Sequence, residues 1–301
     1  MKYIKYALLS FIFICFIFNI KLITSSVLDA SSMFFNNVFI SLFPFIILSN
    51  ILIYFDYHIF LSDIFGNFIS KVFKVSKNAS QIIILSILTS CPSNAIFINN
   101  MYEKDLISKE ECEKLICFTC FPSLSYIIFV VGFTYFNSYK VGILLLFANF
   151  IYNLIIGLYL RKDNTFIENY NLIENKDNFF SLIKNTIINA FHTLFIIFSI
   201  LTMFIILTNL IKEYLSINLV VLGIINGLLE FSSGISFIAN LLIPSNIKLS
   251  IISFILNFNS LSILFQISSI INIKLNIKKI LIIKLIFSFL ISILVFFIAS
   301  C

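Results

Sequence analysis

The segment from Ser80 to Asn100 is largely apolar, and its roughly 20 residues would cross a bilayer once. Its centre, however, reads Ser90-Cys91-Pro92-Ser93-Asn94. Pro92 removes a backbone donor, and Ser93 and Asn94 compete for backbone hydrogen bonds, so an unbroken helix is a poor solution there. The alternative is a re-entrant hairpin of two half-helices of about 10 residues, each about 15 Å long, turning near the midplane. The interruption recurs. Leu88–Ile98 aligns with Leu228–Ile238 at an offset of 140, placing Ser93 on Ser233 and Phe97-Ile98 on Phe237-Ile238. Downstream, Phe121-Pro122-Ser123-Leu124-Ser125 aligns with Phe258-Asn259-Ser260-Leu261-Ser262 at an offset of 137. Two matches in one order predict a duplication. Paired interrupted segments in corresponding halves of a membrane chain mark a transporter's binding site.

Composition supplies the membrane. The 301 residues are 60% hydrophobic and 11% charged, too little polar surface for a soluble protein of this size. The net charge of +6 does not suggest a nucleic-acid partner, because the lysines sit in short loops between apolar runs, where they set topology. Cys117 and Cys120 form a C-x-x-C, read as small apolar residues within a membrane helix; no metal site and no cofactor are expected. His192 is expected to face either a cavity or the packed core, and no chemistry is attached to His58. There is no Walker sequence, H-E-x-x-H or nucleophile elbow. Glu230 alone is not an acid–base set, so no catalytic residue is expected and the chain is not read as an enzyme.

Nine apolar segments follow one another. Tyr3–Ile20 is expected to be a retained span, and Met33–Tyr54 a second one, kinked at Pro44; Asp56–Lys77 is an amphipathic connector. Ser80–Asn100 carries the first interruption, and Leu115–Phe133 is broken at Phe121-Pro122-Ser123. Val141–Leu160 is uninterrupted. After the polar loop Arg161–Asn178 come Thr186–Ile211, Leu219–Ile243 broken at Glu230–Gly234, Leu249–Ile271 broken at Asn257–Ser260, and Leu281–Ala299. The expected domains are an N-terminal span and connector (1–32), a first repeat (33–162), a polar inter-repeat loop (163–180) and a second repeat (181–301).

Lysine placement chooses the topology. If every segment crosses, with the N-terminus inside, the 20 basic residues divide almost evenly. If Ser80–Asn100 and Leu219–Ile243 are re-entrant, only Lys21, Lys140, Lys212 and Lys248 remain outside, with Lys284 counted among the inside loops. That is a clear positive-inside pattern. Each half then crosses three times, so the second is inverted relative to the first. The expected architecture is an all-α polytopic membrane protein of two inverted repeats, each with a re-entrant hairpin and a broken transmembrane helix, plus an extra N-terminal span. It sits in the cell membrane, multi-pass, with a cytoplasmic N-terminus.

Such a fold brings the hairpin tips and broken spans together around a small polar solute. Glu230, the acidic residue well inside an apolar segment, is the strongest candidate: an intramembrane carboxylate is costly and commonly faces a cavity. It would bind a coupling proton or cation, or accept hydrogen bonds from the solute. Ser93, Asn94, Ser123, Ser125, Ser233, Asn257, Asn259, Ser260 and Gln266 form the supporting polar set, each equally readable as helix-packing glue. Gly234 would let a hairpin turn or admit a ligand close to the backbone. Pro44, Pro92 and Pro122 are the expected kinks. No basic residue is expected opposite Glu230. Oligomeric state is left open.

Several of these stretches resemble the sporulation integral membrane protein YlbJ family: Leu42-Phe43-Pro44-Phe45, Pro92 before Ala95, the acidic Glu110–Glu113 stretch, G-L-L-E-F-S-S-G at Gly227–Gly234, and S-F-I-L-N-F-N-S-L-S at Ser253–Ser262 with Gln266. By residue, Pro92, Glu230, Gly234 and Gln266 match the pattern. The sequence departs from it at Ser90-Cys91, Cys120-Phe121 and Asn259-Ser260, where the family has glycines or an Asn pair. The resemblance implies a gate, or nucleoside-recognition, domain akin to spore maturation proteins, acting in the making of resistant spores. It also implies transport of a small polar, nucleoside-like solute, or alternatively a non-transporting scaffold for spore-envelope assembly.

Overall fold

The computed structural model describes residues 16–40, 43–44, 47–48, 51, 55, 57–88, 91, 93–161, 179–214 and 218–300. Every regular element among them is helical. Among the described residues, four stretches are long and apolar enough to cross a bilayer: Tyr139–Tyr159, Ile183–Tyr214, Ser245–Ile270 and Ile277–Ser300. The expected span Tyr3–Ile20 lies mostly outside the described residues, as do Pro92 and most of the polar loop Arg161–Asn178. Pro44 is helical and exposed, but several neighbours that would define a kink there also lie outside them.

The chain enters on α1 (Ile20–Met33), which continues into a wider, π-helical stretch, Phe34–Phe39. The expected connector between the first two spans is therefore helix. An amphipathic α2 (Tyr57–Phe73) leads to α3 (Lys77–Leu88) and α4 (Ser93–Glu103). Asn78 at the start of α3 donates to the carbonyl of Leu106, just beyond the end of α4, at 3.1 Å. The two helices thus begin and end at one place. Next, α5 (Lys109–Thr119) starts with a capping box, Ser108 and Glu111 exchanging hydrogen bonds with each other's backbone. Glu111 also accepts from the Ser76 N–H at 2.6 Å, tying the start of α5 to the start of α3. After an extended break, a π-helical segment (Tyr126–Tyr135) leads to α6 (Tyr139–Tyr159).

The same order follows the long α7 (Phe179–Tyr214): the pair α8 (Leu219–Leu229) and α9 (Phe231–Asn240), then α10 (Ser245–Phe258), a break, α11 (Leu261–Ile270), and α12 (Ile277–Ser300). Gly227 and Gly234 bring α8 and α9 together backbone to backbone, because a Cβ at Gly234 would collide with Gly227 Cα and N. Lys248 near the start of α10 donates to Ala239 O at the end of α9, at 2.9 Å. Meanwhile α7 runs against α1, with Asn209 bonded to Ser26 at 2.9 Å and Tyr214 to Asn19 at 2.7 Å. A separate phenylalanine-rich cluster seals that pair, the Phe34 and Phe198 rings tilted against each other with centroids 5.0 Å apart.

Two ends can be told apart by their hydrogen bonds. At one, Asn272 after α11 meets Asn99 and Glu103 of α4, Asn276 before α12 meets Glu113 of α5, and Arg161 after α6 reaches Lys71 O. Hydrogen bonds from Asn272 and Asn99 hold the exposed Glu103 carboxyl below the ordinary carboxylate range. At the other end, Asn246 at the start of α10 meets Ser300 at the end of α12.

Three expectations need correction. The second interruption is narrower than Glu230–Gly234, since Ser232, Ser233 and Gly234 are already in α9 and Glu230 alone separates the helices. Asn257 is still helical, the break being Asn259-Ser260, both with positive φ. Lys284 is no loop residue: it lies two turns inside α12 and is fully buried. The tally of inside-loop lysines is one shorter without it, and the bias survives.

Candidate functional site

The breaks and tips of the two halves converge. At the first tip, the Cys91 N–H donates to Phe121 O in the first break at 3.1 Å. Asn94, fully buried, donates to both the carbonyl and the hydroxyl of Thr119, at 3.2 and 2.7 Å. From the second break, Asn259 donates to Cys120 O at 3.0 Å. From the last helix, the Lys284 ammonium approaches the same carbonyl at 3.5 Å. The C-terminal carbonyls of α5, left without intrahelical donors where the helix stops, are thus capped by three other parts of the chain.

On the far side of the first break, Ser123 caps the π-helical segment through the Tyr126 N–H and also accepts from Ser125. Tyr126 packs edge-on against Phe231, ring centroids 5.2 Å apart. That places the first break against the second tip. There Glu230, 1% exposed, is the N-cap of α9: its carboxylate accepts from the Ser233 N–H at 2.6 Å. An acidic group at a helix N-terminus answers both the orphan N–H groups and the positive end of the helix dipole. No basic side chain pairs with it among the described residues. Lys284 is met in the mirror sense, a cation at a helix C-terminus. Each buried charge faces a half-helix end of opposite sign, and they do not face each other. A basic residue in an apolar span thus exists, but away from Glu230, which as expected has no basic side chain opposite it among the described residues.

Another contact crosses between halves: Asn149 of α6 donates to Asn257 Oδ1 at 2.9 Å, with Asn153 bonded to Asn149. So α6 of the first half touches the end of α10, while α12 of the second touches the end of α5. Ser260 and Ser262 pair with each other at 2.9 Å. Gln266 is buried in α11. The carbonyl oxygens of Asn94, Asn226, Asn259 and Gln266 are buried with no hydrogen-bond donor among the described residues. A cleft of about 780 Å³ reaches inward from the end that carries Glu113 and Asn276, between α5, α6 and α12, with Lys114, Cys117, Tyr159 and Lys279 on its walls.

Most of the expected set therefore gathers around the two breaks: Asn94, Ser123, Ser125, Glu230, Ser233, Asn257, Asn259 and Ser260. The Ser93 side chain lies outside the described residues. Gly234 has negative φ and makes no turn, its function being the close approach to Gly227. Pro122 is buried within the first break. His192 is exposed on α7, neither in the core nor in a cavity. Sequence reasoning passed over Lys284, Tyr126, Ser232, Asn149 and the Cys120 carbonyl. The signal for Lys284 was present, since Ile280-Leu281-Ile282-Ile283 precede it and an apolar run follows.

No family model matches the chain, and no solved structure matches it. It is 30% identical over 131 residues to the sporulation integral membrane protein YlbJ of Bacillus subtilis, a match covering 44% of this chain and 32% of that protein. The chain thus aligns with about a third of that relative's length. The resemblance seen in the residues is borne out over that stretch: this is a helical membrane protein related to YlbJ.

Proposed function

We propose that the chain is a secondary transporter of a small polar solute, acting in sporulation, with its site where the tips and breaks meet. In this reading the halves are inverted repeats, and α3–α4 and α8–α9 are re-entrant hairpins entering from opposite faces. The bonding at the two ends supports it. The feet of the first hairpin gather with the starts of α5 and α12, whereas the feet of the second gather near the start of α10 and the end of α12. The end bearing Lys109, Arg161 and Lys279 is then cytoplasmic, as is the N-terminus. The carrying observation is the convergence itself. Both breaks meet the hairpin tips, and there the side-chain oxygens of Asn94 and Asn259 are buried without a donor among the described residues, an arrangement a membrane tolerates around a solute path or inside protein. The cleft beside α12 gives the cytoplasmic approach. With no acid–base pair assembled at Glu230 among the described residues, transport is preferred to catalysis.

The test is uptake by proteoliposomes holding the purified chain, with tritiated nucleosides first, then nucleobases and amino acids. Solute accumulation or exchange above that of protein-free liposomes is expected. Absence of both across the panel refutes the proposal and favours a scaffold in spore-envelope assembly.

A further inference from the structure

The bonds made by α2 fix how it lies. Near its middle, Asp63 accepts from the Lys77 ammonium at 3.0 Å, and the Ser62 and Ser80 hydroxyls stand 3.2 Å apart. At its C-terminal end, the Phe73 and Lys74 carbonyls accept from Lys114 at 2.7 and 2.9 Å, and Ser70 donates to Ser76 O at 3.4 Å. From Asp63 to Phe73 the helix covers about 15 Å, yet Ser76, Lys77 and Ser80 all lie in the first turn of α3 or just before it. So α2 crosses the foot of the first hairpin and does not run along α3. It also has three faces. Ser62 and Gly66 are buried against α3, where a Cβ on Gly66 would meet the hydroxyls of Ser62 and Ser80. Asp63, Asn67 and Lys71, four residues apart, form an exposed polar stripe. Beside it Tyr57, Phe60, Ile64, Phe65 and Phe68 form an exposed apolar one, with Phe68 at 71%. An upright α2 with that apolar stripe in lipid would carry Asp63, its side chain 59% exposed, to membrane depth. A helix lying in the interface instead sets one face on protein, one among acyl chains and one in water.

We propose that α2 lies flat in the membrane interface at the end bearing Arg161, its apolar stripe among the acyl chains and its basic end docked on anionic phospholipid headgroups. Charge complementarity selects the headgroup. Lys71, Lys74, Lys77 and Arg161 gather there, Arg161 donating to Lys71 O at 3.2 Å, while the acidic residue within α2, Asp63, is already bonded to Lys77. Basic side chains held against an anionic leaflet add their attractions, which fade within a Debye length of the surface. The flat lie rests on the hydrogen bonds, and the choice of the cytoplasmic leaflet rests on the topology proposed above. Neither requires solute movement, so uptake can fail without touching this inference.

The chain has no tryptophan, so one placed by substitution reports its own surroundings. Phe60→Trp, Ile64→Trp and Phe68→Trp on the apolar stripe, and Asn67→Trp on the polar one, are each made in the full chain and reconstituted in vesicles of phosphatidylcholine with a minority of phosphatidylglycerol. Lipids brominated near the headgroup end of the acyl chain should quench the three apolar-stripe tryptophans alike, and more than lipids brominated near the chain ends. Aqueous iodide should quench Asn67→Trp most. An upright helix would give a depth gradient of about 12 Å between Phe68 and Phe60, and such a gradient overturns the flat lie. Apolar-stripe tryptophans that no brominated lipid quenches also overturn it, because a protein partner or water then covers the stripe. Brominated phosphatidylglycerol should quench Phe68→Trp about twofold more than brominated phosphatidylcholine at equal mole fraction. Adding Lys71→Gln and Lys74→Gln together should remove that preference and leave the depth unchanged. Equal quenching by the two lipids, or a preference that survives the double substitution, overturns the anionic docking.

Discussion

The contact between Gly227 and Gly234 gives the most direct test of the second hairpin. A Cβ built on Gly234 falls inside the envelope of Gly227 Cα and N and lies 3.0 Å from Asn226 C, all of them backbone. Carbon atoms pack at about 3.5–4.0 Å, so Gly234→Ala forces α8 and α9 apart by more than about 1 Å. No side chain there can rotate away. Overpacking costs about 1–3 kcal/mol, and a backbone clash belongs at the upper end. Ala gains back about 1 kcal/mol in helix propensity, leaving a net loss of about 2 kcal/mol, or roughly thirtyfold in the folded-to-unfolded ratio. Gly223→Ala is the control, because its new methyl would meet Ile238 Cδ1, the far end of a flexible side chain, most closely, and Ile238 Cγ1 and Phe237 Cδ1 each at 2.9 Å. These are side-chain atoms that can shift, so a cost of about 1 kcal/mol is cancelled by the propensity gain. Equilibrium unfolding in mixed micelles measures both. A Gly234→Ala variant as stable as Gly223→Ala would mean that α8 and α9 are not packed backbone to backbone and that Glu230 is not at a tip.

Two further outcomes are expected. With the native cysteines replaced, Lys140→Cys and Lys248→Cys should react with an impermeant thiol reagent from outside, while Lys109→Cys should react only after permeabilisation; early labelling at 109 removes the inverted repeat. At the second break, Asn259 holds φ 66°, so Asn259→Ala should be less stable than Asn259→Gly by about 1 kcal/mol, and equal stabilities would contradict that left-handed geometry.

The breaks were legible because a helix in lipid must satisfy its own backbone, and the sequence shows where it cannot. The Pro122 region and Asn259-Ser260 are such places, and each lies at an actual break; Pro92, the third, lies outside the described residues. The extent of the second break was overestimated because serines are poor helix formers in general. Ser232 and Ser233 nevertheless begin a helix that Glu230 caps and Gly227 packs against. Lys284 was missed for a different reason. Topology reasoning sends a lysine near a helix start to water, and only tertiary structure reveals the carbonyl it meets, 164 residues away in the chain. Pairings such as Asn149 with Asn257 are equally long-range, and no local pattern announces them.

Glu230 is where structure and mechanism can be separated. Its carboxylate caps α9 through Ser233 N–H, and its own N–H is taken by Asn226 O at 2.7 Å. Gln at this position keeps an oxygen that can accept the Ser233 bond and removes the charge. Ala removes the acceptor, which for an N-cap costs about 0.5–2 kcal/mol. Stability should therefore fall for Glu230→Ala and stay within about 0.5 kcal/mol of wild type for Glu230→Gln. Transport then divides the roles. If the carboxylate also carries a coupling proton or cation, Glu230→Gln folds normally and exchanges solute, yet cannot accumulate it against a gradient. If the carboxylate is a cap and nothing more, the Gln variant accumulates solute as the wild type does. Undiminished, pH-independent accumulation by Glu230→Gln, beside a destabilised Glu230→Ala, would end the coupling role and leave Glu230 as the residue that holds the second hairpin's tip in place.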